Sequence, residues 1–537
     1  MWVRIVAIIC LGVVGVGCRP TPPENLYPDP LPQDPNITVY FNQDQSNSYT
    51  DPYRQQQRRG DNLEAILVEE IRQATTSIDV AVQELRLPKV AQALAQRARE
   101  GIKIRVILEN TYSRPWSDFS PAEIQDFDQR KRDRYQEFFQ LADINGNGQL
   151  SQKEIQKRDA LVILKNANIP LIDDTADGSR GSGLMHHKFI VIDGQKVLVS
   201  SANLTTSGIH GDFLKPASRG NANHLLKIDS PQLAQIFTKE FERMWGDGPQ
   251  GKPDSQFGLQ KPPHHPQKVF VGNTPVTVRF SPTSPSQPWS ASTNGTIAEI
   301  LQGTNETTDL ALFVFSEQKI ANVLAKKYQQ GVKIRALFDP SFAYRFYSEG
   351  LDMLGVALGR SNCQYELDNQ PWEKQLSSVG VPTLPPGDKL HHKFAILDGE
   401  TVITGSHNWT AAANHDNDET LLVVQNTTVA AHFTREFQRL YRHATLGVPS
   451  RITEKITSRQ RQCSQIAAPQ SVQITGKINI NTATQKELET LPGIGPGLAQ
   501  RITNKRAQKP FTSLEDLQEV SGIGPKTVSE LSDRVTW

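Results

Sequence analysis

The sequence lacks an excess of charge of either sign. Its 537 residues carry 58 Lys and Arg against 57 Asp and Glu, which gives a formal net charge of +1. A large net charge attracts nucleic acid or membranes without specificity. The overall charge therefore predicts neither partner, and either one would have to be bound by a local patch.

Cysteine is also scarce, and only 37% of the residues are hydrophobic. Four cysteines in a chain of this length exclude a disulfide-rich scaffold. If an N-terminal signal peptide that contains Cys10 is cleaved and Cys18 carries a lipid, Cys363 and Cys463 are the two cysteines that remain. The sequence leaves open whether these two form a disulfide or stay as free thiols. The chain is too long for one hydrophobic core, and its 36 Gly and 34 Pro indicate loops and linkers between several domains.

The N-terminal apolar run, IVAIICLGVVGVG, is too short and too rich in glycine for a comfortable transmembrane helix. It favours a signal peptide over residues 1–18. The sequence VGC before RPTPP resembles a bacterial lipoprotein cleavage site with Cys18 as the lipidated residue, although Gly15 stands where leucine is usual. We expect an exported bacterial protein that is secreted, periplasmic or anchored to the membrane as a lipoprotein.

The chain contains an internal repeat. HHKFIVIDG at 186–194 recurs as HHKFAILDG at 391–399, and GIKIRVI at 101–107 recurs as GVKIRAL at 331–337. Helical patterns followed by short Val- and Ile-rich runs predict α/β units. The first half has about 25 more residues between its two stretches, which indicates an insertion.

The insertion contains DINGNGQLSQKE at 143–154, between two helical patterns. This stretch resembles the calcium loop of an EF-hand, with Gly148 at the sharp turn. Two acidic ligands imply weak Ca²⁺ binding and a structural role. The expected ligands are Asp143, Asn145, Asn147, Gln149 through its backbone carbonyl, Ser151 and Glu154.

The doubled motif places its first histidine and its lysine on one face of a strand, and its second histidine on the other. A following strand ends in SSAN at 200–203 or GSHN at 405–408, which adds hydroxyl and amide groups. Lysines and amides stabilise charge on a phosphoryl group. One imidazole can attack phosphorus, while the other protonates the leaving oxygen and then activates water. This chemistry requires no catalytic metal.

The pattern resembles the phospholipase D superfamily, whose signature H-x-K-x4-D-x6-G-S-x-N occurs twice. The resemblance covers roughly residues 37–445 and implies a phosphohistidine intermediate, with His186 as nucleophile and His391 as acid. The first copy departs from the signature at Ser200. It also has Asn223 where the second copy has the carboxylate expected to orient a histidine. The implied catalytic residues are His186, Lys188, Asp193, Ser201, Asn203, His391, Lys393, Asp398, Ser406, Asn408 and Glu419.

The C-terminal segment repeats GIG at 493–495 and 522–524, each time before a proline that suits a first helical turn. Glycines at a helix start let backbone N–H groups approach a phosphate. Residues 476–537 resemble the paired helix-hairpin-helix module of competence-type DNA receptors, which implies contact with the DNA backbone and no base reading. A helical protein-interaction domain is the alternative. The expected DNA-binding residues are Gly493, Ile494, Gly495, Gly497, Gly522, Ile523, Gly524 and Lys526.

The sequence thus predicts an α/β protein with two pseudo-symmetric phospholipase D-like α-β-α lobes, an EF-hand insertion in the first lobe and a small all-α domain at the C-terminus. Because both half-sites lie on one chain, we expect a monomer. The predicted segments are a signal peptide (1–18), a Pro-rich linker (19–36), lobe 1 (37–245, with the insertion at 130–165), a linker (246–275), lobe 2 (276–445), a second linker (446–475) and the helix-hairpin-helix domain (476–537).

The function predicted from these parts is that of an exported phosphodiesterase, a DNA endonuclease without sequence specificity that carries its own DNA-binding tail. One alternative is a secreted phospholipase D that hydrolyses phosphatidylcholine-type lipids to phosphatidate. Lipidation at Cys18 and the Pro-rich tether would suit that alternative, but it leaves the tail without a purpose. The other alternative is a surface protein that captures DNA with a vestigial catalytic site.

Overall fold

The computed structural model describes residues 28–179, 183–366, 368–464, 477–520 and 522–537. The predicted signal peptide, with Cys10 and the expected lipidation site Cys18, lies outside the described residues. Among the helices of the described segments, none combines the length and the apolar character that crossing a membrane requires.

The first lobe is built on a seven-stranded sheet with the order β1-β9-β8-β7-β4-β5-β6. The β4–β5 and β5–β6 pairs are parallel, and the other pairs are antiparallel. The strands are β1 (Ile37–Phe41), β2 (Ser48–Thr50), β3 (Gln57–Arg59), β4 (Ser77–Val82), β5 (Lys103–Leu108), β6 (Leu171–Asp173), β7 (Lys188–Ile192), β8 (Lys196–Ser200) and β9 (His224–Asp229). The helices are α1 (Leu63–Gln73), α2 (Pro88–Arg99), α3 (Pro121–Gln125), α4 (Gln129–Ala142), α5 (Gln152–Arg158), α6 (Ala160–Asn166), α7 (Thr206–Ile209) and α8 (Pro231–Trp245).

The second lobe repeats this arrangement in a nine-stranded sheet with the order β10-β11-β19-β17-β16-β12-β14-β15-β20. Its strands are β10 (Gln267–Val271), β11 (Thr274–Phe280), β12 (Thr307–Leu312), β13 (Phe315–Ser316), β14 (Lys333–Phe338), β15 (Val379–Val381), β16 (Lys393–Leu397), β17 (Thr401–Gly405), β18 (Trp409–Thr410), β19 (Thr420–Gln425) and β20 (Thr445–Leu446). Its helices are α9 (Thr293–Gln302), α10 (Gln318–Gln329), α11 (Glu349–Met353), α12 (Ala411–His415), α13 (Thr427–Tyr441) and α14 (Ser450–Ser464).

The two lobes share one hydrophobic core. Helices α8 and α13 bury their apolar faces in the same cluster, which also takes side chains from strands of both sheets, among them Phe189 and Phe394. A matching ion pair marks the repeat. Arg105 and Asp79 bridge the parallel strands β5 and β4, and their counterparts bridge β14 and β12. The predicted duplication is therefore present in the fold, and the lobes form one unit because their interface is core.

Two segments that the sequence analysis treats as linkers contain regular structure. Strand β10 lies within 246–275 and joins the second sheet, so that this lobe begins earlier than predicted. Helix α14 lies within 446–475, and the Cys363–Cys463 disulfide attaches its C-terminal end to the second lobe. The two cysteines whose state was left open are therefore paired.

The C-terminal tail has its own core of Ile, Leu and Val side chains. It consists of α15 (Gln485–Leu488), α16 (Pro496–Arg506), α17 (Leu514–Gln518) and α18 (Pro525–Leu531), and its two ends meet in the short strands β21 (Ile478–Asn479) and β22 (Val535–Thr536). Apart from this strand pair the domain is helical, as predicted.

Candidate active site

The two repeated motifs enter the centre of their sheets as β7 and β16. Each strand is antiparallel to the first parallel strand of its lobe, with Lys188 opposite Val82 and Lys393 opposite Leu312. Both strands are buried along their whole length because side chains pack on both faces. The first histidine of each motif precedes its strand, at the edge where the lobes meet.

Backbone bridges across the lobe interface bring the half-sites together. The His186 N–H donates to the Asp418 carbonyl at 3.0 Å, and the His391 N–H donates to the Ala222 carbonyl at 3.1 Å. Each motif is thus joined to the segment of the other lobe that carries the residue expected to orient a histidine. The next residue along each of these segments is Glu419 or Asn223.

These two residues orient the histidines across the interface. His186 Nδ1 lies 2.7 Å from Glu419 Oε2, and His391 Nδ1 lies 3.0 Å from Asn223 Oδ1. The Asn223 amide group donates to the Gly208 carbonyl, which leaves Oδ1 as the acceptor. Both histidines therefore hold a proton on Nδ1 and keep Nε2 for chemistry.

The motif serines fix the two orienting residues. Ser406 Oγ donates to Glu419 Oε2 at 2.7 Å, and Ser201 Oγ donates to Asn223 Oδ1 at 2.8 Å. Glu419 also accepts from the Asn417 amide at 3.2 Å. The serines are thus positioning residues, since they hold the side chains that hold the histidines.

The two lysines are buried and each donates to the carbonyl of the histidine two residues before it, at 2.8 Å for Lys188 and 2.7 Å for Lys393. Burial lowers the pKa of Lys188 to about 7, although Glu419 and Glu84 oppose the change. Burial, together with the charge of Lys188, lowers the pKa of Lys393 well below its usual value. A bound anion would offset this cost because it favours the charged lysines.

Burial also lowers the pKa of both motif histidines well below the usual value, with further lowering from the two lysines. The imidazole of His186 is therefore neutral, and its Nε2 lone pair is available. Burial raises the pKa of Glu419, while His407 and Lys188 oppose the rise. A neutral nucleophile beside a carboxylate and two potential cations suits attack on a phosphate ester.

The departure from the signature at Ser200 has a local explanation. In the second lobe Gly405 has φ +131°, and a Cβ there would lie 2.2 Å from the Thr420 carbonyl oxygen. In the first lobe Ser200 has space for its side chain, and its Oγ donates to the His224 carbonyl at 2.6 Å. The strand pairing at this position is thus supported by a side-chain hydrogen bond in the first lobe, where the second lobe has a close backbone approach.

The motif asparagines complete the ring of polar groups. Asn203 and Asn408 follow the serines and are partly buried, and the Oδ1 atom of each is buried without a hydrogen-bond partner. Buried polar atoms are normally paired. Unsatisfied amides at matching positions of the two lobes fit a site that is completed by a polar ligand.

The two motif aspartates do not join this cluster. Asp193 accepts hydrogen bonds from the backbone N–H groups of Thr75, Thr76 and Ser77, and Asp398 accepts from the equivalent turn before β12. Seven residues of extended chain place Asp193 roughly 20 Å from His186. The contacts of Asp193 and Asp398 are those of residues that fix turns and give no support to the expected catalytic role, which stays a prediction.

The second histidines lie on the opposite strand face, as predicted. His187 Nδ1 lies 2.8 Å from Thr420 Oγ1, and His392 contacts Glu436 and stacks on His224. Both histidines are fully buried at the lobe interface. These contacts stabilise the interface between the lobes, on the side of the strands away from the first histidines.

The insertion forms the predicted helix-loop-helix, with α4 and α5 around the loop. Asp143 accepts from the N–H groups of Asn147 and Gly148, and Glu154 accepts from Ile144 and Asn145 across the loop. Each Asp143 oxygen accepts one of these hydrogen bonds and keeps a lone pair for a cation, whereas Glu154 Oε1 accepts two and would have to release one to bind a cation. In the described part of the chain, no three or more His, Cys, Asp or Glu side chains cluster as metal ligands. A cation in this loop would need amide and carbonyl oxygens in addition to the carboxylates of Asp143 and Glu154.

In the tail, Gly495 and Gly524 are the N-caps of α16 and α18, and the space around both is open. Ile494 and Ile523 are buried and anchor the two hairpins in the core. The preceding glycines, Gly493 and Gly522, have positive φ. Gly497 and Lys526 lie within α16 and α18. The predicted residues thus form two hairpins with accessible helix starts, the geometry that accepts a phosphate.

Two known families match this chain, one over the two lobes and the other over the C-terminal tail. The family described as "Cardiolipin synthase, PLD-like domain" matches residues 67–245 and 297–441. The chain belongs to the phospholipase D-like family. The helix-hairpin-helix motif matches residues 473–536. The predicted EF-hand is not among the matches.

Curated relatives of this family member include the mitochondrial cardiolipin hydrolase of Mus musculus, 28% identical over 158 residues, which are 29% of this chain and 61% of the relative. The enzyme of that name from Homo sapiens is 29% identical over 135 residues, 25% of this chain and 44% of the relative. The chain thus matches no more than about three fifths of either relative.

Two solved structures are also similar to this chain. Phosphatidylserine synthase of Haemophilus influenzae is 11% identical, with a TM-score of 0.48 over 81% of this chain and 96% of that protein. The phospholipase D family member Nuc of Salmonella typhimurium is 19% identical, with a TM-score of 0.25 over 33% of this chain and 99% of that protein.

Sequence reasoning missed two side chains beside the motifs. Gln83 follows β4 and accepts from Lys188 Nζ at 3.3 Å, and Phe313 follows β12 and packs on His391 with ring centroids 4.8 Å apart. The strand ends were visible in the repeat, and side chains at the carboxyl ends of parallel strands are where ligands bind. This signal would have identified both positions.

Proposed function

We propose that this protein is an exported phosphodiesterase that cleaves DNA through a phosphohistidine on His186. The observation that carries the proposal is the pair of histidines oriented across the lobes, on one chain with a helix-hairpin-helix tail. The histidines account for phosphoryl transfer, and the helix-hairpin-helix tail favours a nucleic acid as the substrate. The enzyme acts on the sugar-phosphate backbone and does not select a sequence.

In the first step, His186 Nε2 attacks phosphorus and the P–O bond to the leaving group breaks. Glu419 stabilises the positive charge that develops on the imidazole, because its Oε2 lies 2.7 Å from Nδ1 and accepts the hydrogen bond from that atom. His391, protonated when the phosphate anion is bound, gives its Nε2 proton to the leaving oxygen. Asn223 is neutral and stabilises the cation of His391 less than a carboxylate would, which favours this release.

In the second step, His391 takes a proton from a water molecule, which attacks phosphorus. The P–N bond breaks, and His186 returns to its neutral form. Lys188 and Lys393 stabilise the negative charge on the phosphoryl oxygens in both steps. The difference between Glu419 and Asn223 supports the assignment of His186 as nucleophile and His391 as acid.

The test uses the purified full-length protein, plasmid DNA and a phosphodiester with a p-nitrophenolate leaving group, which departs without a proton. We expect DNA nicking by the unaltered protein and none by His186→Ala. His391→Ala should release one equivalent of p-nitrophenolate and retain a phosphoryl adduct on His186, visible by mass spectrometry. Nicking by His186→Ala, or an adduct on another residue, would refute the mechanism.

A lipid substrate is the competing function, and the name of the cardiolipin hydrolases favours it. The same preparations are therefore given cardiolipin and phosphatidylcholine vesicles. Phosphatidate formation without DNA nicking would replace the nuclease proposal with a lipase. Capture of DNA without any cleavage would favour the surface DNA-capture alternative.

The role of the tail is tested by Gly495→Val and Gly524→Val, which fill the open space at both helix starts. A side chain there blocks the approach of a phosphate and leaves the core intact. We expect KM for long DNA to rise about tenfold, since phosphate contacts supply most non-specific affinity. An unchanged KM and salt dependence would indicate a protein-interaction domain.

We further propose that the loop at 143–154 binds Ca²⁺ weakly and braces the first lobe, and that the protein acts outside the cytoplasm as a monomer. Export and lipidation at Cys18 are tested by fractionation of cells that produce the full chain, with Cys18→Ala as the control. An unlipidated protein in the cytoplasm would overturn this localisation. Light scattering of the purified protein tests the monomer.

A further inference from the structure

The two half-sites differ at one matching position beside the motif lysines. Gln83 and Phe313 directly follow β4 and β12, and their N–H groups donate to the carbonyls of His187 and His392 at 3.0 and 2.8 Å. Gln83 is buried and hydrogen-bonds to Lys188, whereas Phe313 is partly exposed. The first lobe thus has an amide where the second lobe presents an aromatic ring.

Phe313 lies at the centre of an aromatic group on the rim of the second half-site. Its ring centroid is 4.8 Å from that of His391 and 4.8 Å from that of Phe342, and Lys393 Nζ lies 5.0 Å from it. Phe342 is partly exposed as well. A hydrocarbon surface at this point does nothing for proton transfer, so its use is to bind part of the substrate.

A positively charged side chain, Lys389, lies next to the aromatic rings on this rim. Lys389 Nζ donates to Ser341 Oγ at 2.7 Å, next to Phe342 in the chain. The matching position in the first lobe, two residues before His186, is Leu184. At the positions of Phe313 and Lys389 the first lobe thus has Gln83 and Leu184, and it lacks both the ring beside the motif histidine and the cation. Phe342 has an aromatic counterpart in Tyr112, which follows β5 by the same four residues.

The chemistry places this rim on the side of the leaving group. His391 protonates the leaving oxygen, and Phe313 packs against that imidazole. An in-line displacement by His186 drives the departing group toward the second lobe. Whatever is attached to the leaving oxygen therefore lies against Phe313 and Phe342.

We propose that Phe313 and Phe342 form a leaving-group subsite that stacks the nucleobase of the departing nucleotide, with Lys389 at the phosphate beyond it. This inference rests on the proposed nuclease function. Every base has a π-face, so a stacking platform strengthens binding without selecting a sequence. The subsite would thus distinguish nucleic acid from a diester that carries no ring on the leaving side.

The experiment uses the full-length protein and short oligonucleotides in which one phosphodiester is cleavable and the others are blocked as methylphosphonates. An abasic sugar replaces the nucleotide on either side of the cleavable bond in turn. We expect the abasic sugar to lower kcat/KM roughly tenfold on one side only, as stacking on an aromatic side chain implies. Phe313→Ala should remove most of this difference, and Phe313→Trp should retain it.

Phe270→Ala is the matched control, because Phe270 is 60% exposed on the edge strand β10 and makes no contact with the site. It should preserve the preference for a base. Equal cleavage of all oligonucleotides by the unaltered protein would overturn the subsite and leave the nuclease function standing. Cleavage of none of them would instead count against the nuclease function itself.

Two further outcomes would overturn the subsite. A base preference that survives in Phe313→Ala would place base binding elsewhere. If Phe313→Ala impaired hydrolysis of phosphatidylcholine vesicles and left the base preference unchanged, the rings would hold a quaternary ammonium head group, which aromatic faces also bind.

Discussion

Glu419 of the second lobe accepts a hydrogen bond from Nδ1 of His186 in the first lobe, and both side chains are buried. The matching contact joins His391 to Asn223, so that each lobe supplies the orienting group for the other. One orienting group is a carboxyl group and the other is an amide. In the proposed mechanism this difference sets the roles of the two histidines, and it can be tested directly.

Glu419→Gln should lower the rate of adduct formation on His186 about 100-fold, because the amide removes the charge that stabilises the developing imidazolium. Single-turnover kinetics with a chromogenic diester measure this step. Glu436→Gln is the matched control, since Glu436 is a buried partner of His392 on the opposite strand face. Equal losses in the two variants would show that Glu419 acts only through the fold.

Lys188 should set the alkaline limit of activity. Burial lowers its pKa to about 7, so kcat/KM of the free enzyme should fall above this pH as the ammonium loses its proton. Lys188→Arg should move this limb upward by more than one pH unit because a guanidinium stays charged. Lys227→Arg, at a lysine whose pKa is raised, serves as the control and should leave the limb in place. A limb that stays near pH 7 in Lys188→Arg would assign it to another group.

Asp193 should matter for stability and not for the chemical step. Burial raises the pKa of Asp193, but hydrogen bonds from the N–H groups of Ser77, Thr76 and Thr75 outweigh this effect and lower the pKa to about 2. Its contribution is complete above the unfolded pKa of about 3.9 and is lost as the pH falls toward 2. Asp193→Asn should lower the free energy of unfolding at pH 7 by about 1–3 kcal/mol.

The measurement is urea denaturation at pH 7 and between pH 4 and 2, with kcat recorded on the folded protein. Asp229→Asn is the control, because its side chain is 43% exposed in a loose ion pair. A loss of kcat in Asp193→Asn without a loss of stability would return this residue to the catalytic set.

The disulfide should hold α14 against the second lobe. It closes a loop with a sequence separation of 100 residues, and the loss of chain entropy in the unfolded state implies up to about 5 kcal/mol of stabilisation for a loop of this length. Cys363→Ser with Cys463→Ser should lower the thermal midpoint and make α14 sensitive to protease. Reductant should reproduce both effects in the unaltered protein and add nothing in the double variant. A protease pattern that reductant does not change would mean that packing alone holds the helix.

Calcium should stabilise the first lobe without being required for cleavage. We expect millimolar Ca²⁺ to raise the thermal midpoint by a few degrees through preferential binding to the folded state. Asp143→Asn with Glu154→Gln should abolish the shift, while Asp118→Asn, a substitution outside the loop, should not. A shift of equal size in both variants would indicate binding elsewhere.

The repeated HHK stretches, with a strand period of two, predicted which histidine faces the site and which faces the core, and the structure confirms that division. The distance of Asp193 from the site could also have been predicted, since it lies seven positions after His186, beyond the five-residue strand β7. The target of Glu419 could not be predicted, because it depends on how two lobes dock. The Cys363–Cys463 pair likewise depends on the path of α14 over the second lobe.

In the mechanism proposed above, the pairing of His186 with a carboxylate and of His391 with an amide gives the reaction a direction. In the proposed mechanism the phosphoryl group is retained on the first-lobe side, and the new hydroxyl departs on the second-lobe side. Every cut in a strand should therefore leave the same kind of terminus, with phosphate at only one of the two new ends. DNA degraded by this protein would carry a uniform chemical signature, whatever its sequence.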